Sequence, residues 1–269
     1  MTHDPAQAAA FFDDYGEKEW ERFDDPRMGA ASLAIHCHYL REFVSAGDRV
    51  LDVGAGPGRF TIELAAIGAE IIVADVSPRM LELNREKVAA AGAEARVLDR
   101  VVADVADLSR FRDGEFDATV CYGGPLSYVV ERREHAVAEL ARVTRSGGHL
   151  LVSVMSLVGA FEHYVDLVLE LAERDGIEKM EAIVRTGFLP MEPDYGHLPM
   201  HLFRWSELEE LLARHGEIVA ATATGLLRPT EPPRSDDLRD LLVRLELDLG
   251  ADSASIGSGE HMLAVLRTS

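Results

Sequence analysis

Cysteine is scarce. Cys37 and Cys121 are the only two in 269 residues, too few for a disulfide framework or a four-thiolate metal site. Basic residues are outnumbered, 27 Lys and Arg against 47 Asp and Glu, leaving a net charge of −20. A surface of that sign repels phosphate polyanions and anionic lipid, so nucleic acid and membrane are not expected as partners, and small molecules are. Long hydrophobic runs are missing too: the longest, Leu150 to Phe161, is interrupted by Ser153, Ser156 and Gly159 and is too short to span a bilayer. The opening Met1-Thr2-His3-Asp4-Pro5 lacks the basic-then-apolar pattern of a secretory signal, so a cytoplasmic location is expected. Internal repeats and low-complexity tracts are also missing. The apolar share of 47% is that of an ordinary globular chain, so the acidity does not signal disorder. The length suits one large domain, or a domain with a substantial cap.

What is present is an alternation. Short runs rich in Val, Ile and Leu at 49–53, 70–74, 100–103, 116–122 and 149–154 are separated by stretches of helical spacing at 59–67, 78–91 and 132–144. Continuous apolarity suits strands buried on both faces of a parallel sheet, and the alternation predicts an α/β sheet with right-handed crossovers. Residues 5–22 and 30–46 read as two amphipathic helices ahead of the first strand. The segment 156–205 breaks the alternation with a predicted helix at 161–174 and a loop holding Gly187, Pro190, Pro193, Gly196 and Pro199; a loop of that length is often a lid or binding element. A helix at 206–215 and strands at 217–222 and 261–266 complete the pattern, with a helix at 236–248 inside the otherwise unplaced stretch 224–260.

The chemistry concentrates after the first strand, in Val50-Leu51-Asp52-Val53-Gly54-Ala55-Gly56-Pro57-Gly58-Arg59. Three glycines spaced by two let the backbone turn sharply and approach a ligand with no Cβ in the way, and the amides opening the next helix can face an anionic group. A plain tight turn is the bland alternative. Asp75 ends the second strand 21 residues after Gly54, where an acid can accept both hydroxyls of a ribose. Helix capping does not explain it, because Ser77 supplies the cap and Pro78 the first helical position. Asp104 ends the third strand and can accept from an adenine amino group. A dinucleotide fingerprint wants a third glycine at position 59, where this chain has Arg59.

Gly54-x-Gly56-x-Gly58 instead resembles the loop of class I S-adenosylmethionine-dependent methyltransferases of the small-molecule type. The resemblance continues in order through Asp75-Val76-Ser77-Pro78-Arg79-Met80-Leu81, Phe116-Asp117-Ala118-Thr119-Val120-Cys121 and Arg145-Ser146-Gly147-Gly148-His149-Leu150, with Ser146 standing where the family usually has proline. It covers residues 50–155, more weakly to the C-terminus. It implies a Rossmann-like seven-stranded, mostly parallel sheet with helices on both faces, an N-terminal helical lid over 1–47, a cofactor-binding core over 48–155, a substrate cap inserted at 156–205, and the rest of the core sheet in 206–269. It implies S-adenosyl-L-methionine as cofactor and S-adenosyl-L-homocysteine as product. Gly54 and Gly56 would cradle the methionine part, Asp75 and Val76 the ribose and adenine, Asp104 and Val105 the adenine edge, and Cys121 the methionine amino group through its backbone, while Asp52 would orient the loop.

For the acceptor the reading is broader. Phe11, Phe12, Tyr15, Trp20 and Phe23 suit either a packing stripe or a lid, with Tyr15 and Trp20 as lid candidates against the cofactor. Tyr122, Ser127 and Tyr128 lie at the carboxyl end of the fourth strand, where open α/β sheets bind ligands. His197, His201 and Tyr128 are the candidate catalytic residues. His163, Arg27 and Arg185 are weaker candidates, and His36 with His38, two apart on a helix, face different sides and are poor metal chelators. The expected activity is methyl transfer to N, O or C of a small molecule by a monomer or homodimer, with no metal. Rearrangement of the cofactor without an acceptor, a non-catalytic cofactor sensor and an NAD-dependent oxidoreductase are the alternatives.

Overall fold

The computed structural model describes residues 3–24, 29–191 and 197–269. Its centre is a seven-stranded sheet of β1 (Arg49–Val53), β2 (Glu70–Asp75), β3 (Val97–Val102), β4 (Phe116–Cys121), β5 (Thr144–Met155), β8 (Gly216–Thr224) and β9 (His261–Thr268). The order across the sheet is β3-β2-β1-β4-β5-β9-β8. The first five strands are parallel, and β9 runs antiparallel between β5 and β8. The chain order reverses direction at β1, so the carboxyl ends of β1 and β4 open a crevice there, the place where such sheets take ligands.

Helices cover both faces. On one, α3 (Gly29–Phe43), α4 (Arg59–Ile67) and α5 (Pro78–Ala90) press Ile35, Leu40, Phe60, Leu64 and Leu81 onto Val50, Ile71 and Val73. On the other, α6 (Pro125–Tyr128), α7 (Arg133–Val143) and α11 (Trp205–Ala213) bring Leu126, Val137, Leu140, Leu208 and Leu211 against Leu51, Phe116 and Leu150. Each such fully buried side chain contributes about 1.5–3 kcal/mol of burial. Among the described residues no helix is long and apolar enough to cross a membrane.

Several elements depart from the sequence expectation, each for a local reason. The strand expected from Arg100 begins at Val97, and the strand expected from His149 begins at Thr144. β3 is a sheet edge with exposed Leu98 and Asp99, so its polar start carries no buried signature. The N-terminal helix expected over 5–22 is two: α1 (Pro5–Tyr15) ends at Gly16, whose φ is +53°, and α2 (Lys18–Glu21) restarts beyond it. The helix expected over 161–174 is also two, α8 (Leu157–His163) and α9 (Val165–Asp175), parted at Tyr164, which leaves helical geometry and donates its hydroxyl to Glu260 at 3.0 Å. Part of the expected loop is a third cap helix, α10 (Ile177–Thr186), that buries Met180 and Ile183 and stops at left-handed Gly187. A two-stranded hairpin, β6 (Phe188–Leu189) with β7 (Met200–His201), closes the insertion. Within 224–260, α12 (Asp236–Gly250) packs against α3 and β8. Its buried Glu246 accepts from the amides of Leu226 and Leu227 at 3.2 and 2.9 Å, fixing the loop after β8.

Candidate functional site

The loop between β1 and α4 turns at Gly54, whose φ is +67°. A Cβ there would lie 2.3 Å from Cγ of Pro125, so the close approach of α6 requires glycine as much as the turn does. The loop is held from beneath by side chains. Thr61 donates to Asp52 Oδ2 at 2.6 Å, and Asn84 donates to Thr61 Oγ1 at 3.0 Å and to the Gly56 carbonyl at 3.5 Å. Arg100 holds Asn84 Oδ1 at 2.9 Å and pairs with both oxygens of Glu94 at 2.7 Å. Asp52 therefore lies below the loop and off the cavity wall, orienting a turn it does not extend beyond.

Asp75 and Asp104 do reach the wall, together with Gly54, Gly56, Val76 and Val105, around a cavity at the carboxyl ends of β1, β2 and β4. Both are engaged. Asp75 accepts from the Gly56 amide at 2.8 Å and from the Ser77 amide at 2.9 Å, while Ser77 caps α5 through Met80 N at 2.9 Å. Asp104 accepts from Ala106 N at 3.0 Å and lies 2.7 Å from Nε2 of His3, whose own amide donates to Glu131 at 2.7 Å. His3 was not legible as a wall residue, since nothing in its sequence neighbourhood points to a strand end 101 residues away.

Burial sets the acidity of Asp52 and Asp75. It pushes Asp52 up to about 7, opposed by the Thr61 hydroxyl and reinforced by Asp75. It pushes Asp75 up to about 6, opposed by the Ser77 and Gly56 amides and reinforced by Glu19. For Asp52 the folded chain binds a proton more tightly than the unfolded chain, whose carboxyl keeps its ordinary value of 3.8. The associated stability is present below 3.8 and is lost as pH rises through about 7. Asp52→Asn keeps the acceptor for Thr61 and removes that titration. Thermal unfolding at pH 5 and pH 8 should show a fall of several degrees in the natural protein and a clearly smaller one in the variant; equal falls would show that Asp52 is ionised throughout.

The N-terminal segment supplies the front of this cavity, through residues other than those expected. Glu19 and Arg22, paired at 2.9 Å, line it with Phe12 and Phe23. Trp20 does not: the Arg59 guanidinium lies 3.6 Å from its ring centroid and donates to its carbonyl at 3.0 Å, so Trp20 fastens α2 to the start of α4. Tyr15 is also off this wall, stacked on Phe11 at 5.7 Å and facing a second cavity. Cys121 is wholly buried beneath the crevice, its thiol pushed up by burial, and the wall at that strand end is formed by Tyr122 and Gly123.

The second cavity, about 420 Å³, adjoins the first and shares Phe12, Glu19, Arg22, Phe23, Gly123 and Tyr128 with it. Tyr128 stands between the two with its ring edge-on to Phe12 at 5.6 Å, its phenol pushed up by burial. His197 reaches this cavity, its Nδ1 2.9 Å from the Leu198 carbonyl. His201 lines neither cavity: β7 turns its imidazole onto α11, where Nε2 lies 2.8 and 2.9 Å from the Glu207 oxygens. His163 lies against the Ser258 carbonyl at 3.2 Å, and Ser127 accepts from Met155 N at 3.1 Å; both are structural contacts outside the cavities. Arg185 lines a separate surface cleft, and Arg27 falls outside the described residues. His38 is exposed near Glu42, whereas His36, on the other side of α3, lines the second cavity with His261 and Glu260. Those three were missed. Their helix and strand were foreseen, but not that their ends converge.

Residues 50–148 match the methyltransferase domain family. Among curated proteins, a demethylmenaquinone methyltransferase of Clavibacter sepedonicus is 42% identical over 112 residues, 41% of this chain and 42% of that protein. Methyltransferase GfsG of Streptomyces halstedii is 34% identical over 149 residues, 54% of this chain and 51% of that one. The matches thus span about half the length of these relatives. Among solved structures, Burkholderia thailandensis 1,6-didemethyltoxoflavin-N1-methyltransferase, with bound 1,6-didemethyltoxoflavin and S-adenosylhomocysteine, covers all of this chain and 92% of its own at a TM-score of 0.59 and 17% identity. At that identity the likeness concerns the fold.

Proposed function

We propose that this chain, whose residues 50–148 match the methyltransferase domain family and whose fold is that of class I S-adenosylmethionine-dependent methyltransferases, uses S-adenosyl-L-methionine to methylate a small molecule at N, O or C. The observation that carries this reading is the pair of adjoining cavities with a common wall at Gly123 and Tyr128. The first, about 100 Å³, has the glycine turn and strand-end acids of a nucleoside site but must widen to admit one, and the second, about 420 Å³, suits an acceptor of modest size. The residues of the first fit the cofactor. Its floor is glycine backbone at Gly54 and Gly56, where no side chain projects from the turn into the cavity.

When bound, S-adenosylmethionine supplies a methyl group already activated by its sulfonium. The chain has to hold, align and enclose. The Gly54–Gly56 backbone would hold the methionine part. Asp75 has lone pairs left beyond its two amide contacts for ribose hydroxyls, with Val76 against the base. Asp104 and Val105 would read the adenine edge, which requires His3 to yield the Asp104 oxygen it occupies. Phe12, Glu19 and Arg22 close the front and exclude water. Acidic charge of −20 supports a small neutral or cationic acceptor over a nucleic acid.

Calorimetry should show S-adenosylhomocysteine binding, with no heat from NAD, and incubation with S-adenosylmethionine and a metabolite library should yield S-adenosylhomocysteine with a methylated product. Methylthioadenosine without a methylated product would replace the transferase reading by cofactor rearrangement, and NAD binding alone would overturn the cofactor.

A further inference from the structure

We propose that the second cavity binds a neutral aromatic or heteroaromatic ring through an O–H or N–H donated to His36 Nε2. His36 is 2% exposed on α3. Its Nδ1 lies 2.8 Å from the Ser32 carbonyl, a group that only accepts, so Nδ1 carries the proton and Nε2 presents a lone pair. That Nε2 is buried and has no hydrogen-bond partner among the described residues. The ring cannot turn to find one cheaply, because Tyr122 packs edge-on at 4.7 Å and Phe60 lies at 5.3 Å. His261 opens β9, with its backbone in register with both Met155 and Thr224, and its Nε2 is likewise buried and unpartnered. Two orphaned imidazole nitrogens on one cavity are costly to keep dry, and a ligand that brings a hydrogen to one of them removes that cost.

The surrounding charges select the ligand's form. Burial holds His36 neutral, down to about 3, and His261 down to about 4. Arg22 is neutralised by Glu19 at 2.9 Å, and Glu260 is met by Tyr164 at 3.0 Å and Arg228 at 3.3 Å. Among the described residues of its wall each guanidinium already faces a carboxylate, so an anionic ligand would have to compete with Glu19 and Glu260 for it. Phe11, Phe12, Tyr15, Tyr128 and Tyr164 furnish aromatic faces around the same space, suited to a planar ring stacked or edge-on.

This inference deepens the methyltransferase reading by naming an acceptor class, and binding tests it without turnover. Fluorine NMR titrations with 4-fluorophenol, 4-fluoroanisole and 4-fluorobenzoate compare one ring with a donor, with a capped donor and with a negative charge. With S-adenosylhomocysteine present, the phenol should bind about 3- to 10-fold more tightly than the anisole, the value of one well-placed hydrogen bond, and the benzoate most weakly. His36→Phe should bring the phenol to the anisole level, and His36→Gln, which keeps an acceptor oxygen, should restore part of the difference. Equal binding of phenol and anisole to the natural protein, or a difference that survives in His36→Phe, would overturn the proposal. Should His36→Phe fail to fold, the Nε2 resonance of nitrogen-15 labelled histidine in the natural protein decides: a shift on adding phenol but not anisole supports the assignment, and no shift overturns it. S-adenosylhomocysteine affinity, measured in the same samples, reports on the methyltransferase reading alone, since the phenol preference can survive its failure and the reverse.

Discussion

Gly54→Ala is expected to abolish measurable S-adenosylhomocysteine binding and to lower stability by roughly 3 kcal/mol or more. Two costs add. The backbone at Gly54 has a φ of +67°, a left-handed conformation that costs an L-residue with a Cβ about 1–2 kcal/mol. The new methyl would also start 2.3 Å from Pro125 Cγ, and Pro125 cannot swing aside, being a rigid ring at the first position of α6. Relief requires α6 to retreat or the loop to lift, at a further cost typical of overpacking, about 1–3 kcal/mol. Either movement displaces the wall that the two cavities share, because Gly123 and Tyr128 flank Pro125. Calorimetry with thermal or urea unfolding measures both effects. An alanine variant that binds the cofactor product normally would show that this turn does not form the floor of its site.

Asp75→Asn should weaken S-adenosylhomocysteine binding by about 1–3 kcal/mol, roughly 5- to 150-fold, with a smaller loss of stability. The carboxylate is asked to do three things. One oxygen fixes the Gly56 amide, the other fixes the Ser77 amide, and the remaining lone pairs face the cavity. An asparagine has one carbonyl oxygen and must turn its NH₂ toward one of those amides, donor against donor, so the loop loosens while the ligand loses a charged acceptor. The natural protein carries a second signature. Burial holds Asp75 at about 6, and a ligand that prefers the ionised carboxyl must displace its proton below that value. Affinity should therefore fall as pH drops from 8 to 5 in the natural protein and stay flatter in Asp75→Asn. Unchanged affinity in the variant at pH 8 would remove Asp75 from the site.

The order of buried strands and the glycine turn were legible because each depends on residues close together in the chain. Val50 to Val53 are buried on both faces and apolar apart from Asp52, and the turn that follows needs glycine whatever surrounds it. The same locality exposed Asp75 at the end of β2, whereas Asp104, expected to end the third strand, lies two residues beyond β3, which stops at Val102. The second cavity was not legible, since His36 comes from a helix ahead of the sheet and His261 from a strand inserted antiparallel near its end. Spacing within the chain says nothing about which side of α3 meets β9. His201 misled for the opposite reason: its partner Glu207 lies only six residues away, and a histidine in a proline-flanked loop gives no hint that a nearby helix already holds it. Trp20 and Tyr15 show the limit of reading an aromatic stripe. The spacing identified helices that pack, while the contacts at the front of the cavity fell to Glu19 and Arg22.

The partition formed by Phe12, Glu19, Arg22 and Tyr128 has a thermodynamic corollary. A side chain that contacts two ligands from opposite sides has one set of conformations to give up, and whichever ligand arrives first has already selected among them. The affinity of each ligand is then multiplied by the same factor when the other is present, by necessity of linkage. On the proposed reading the two chambers need no dedicated switch to act together: filling one would help to build the other.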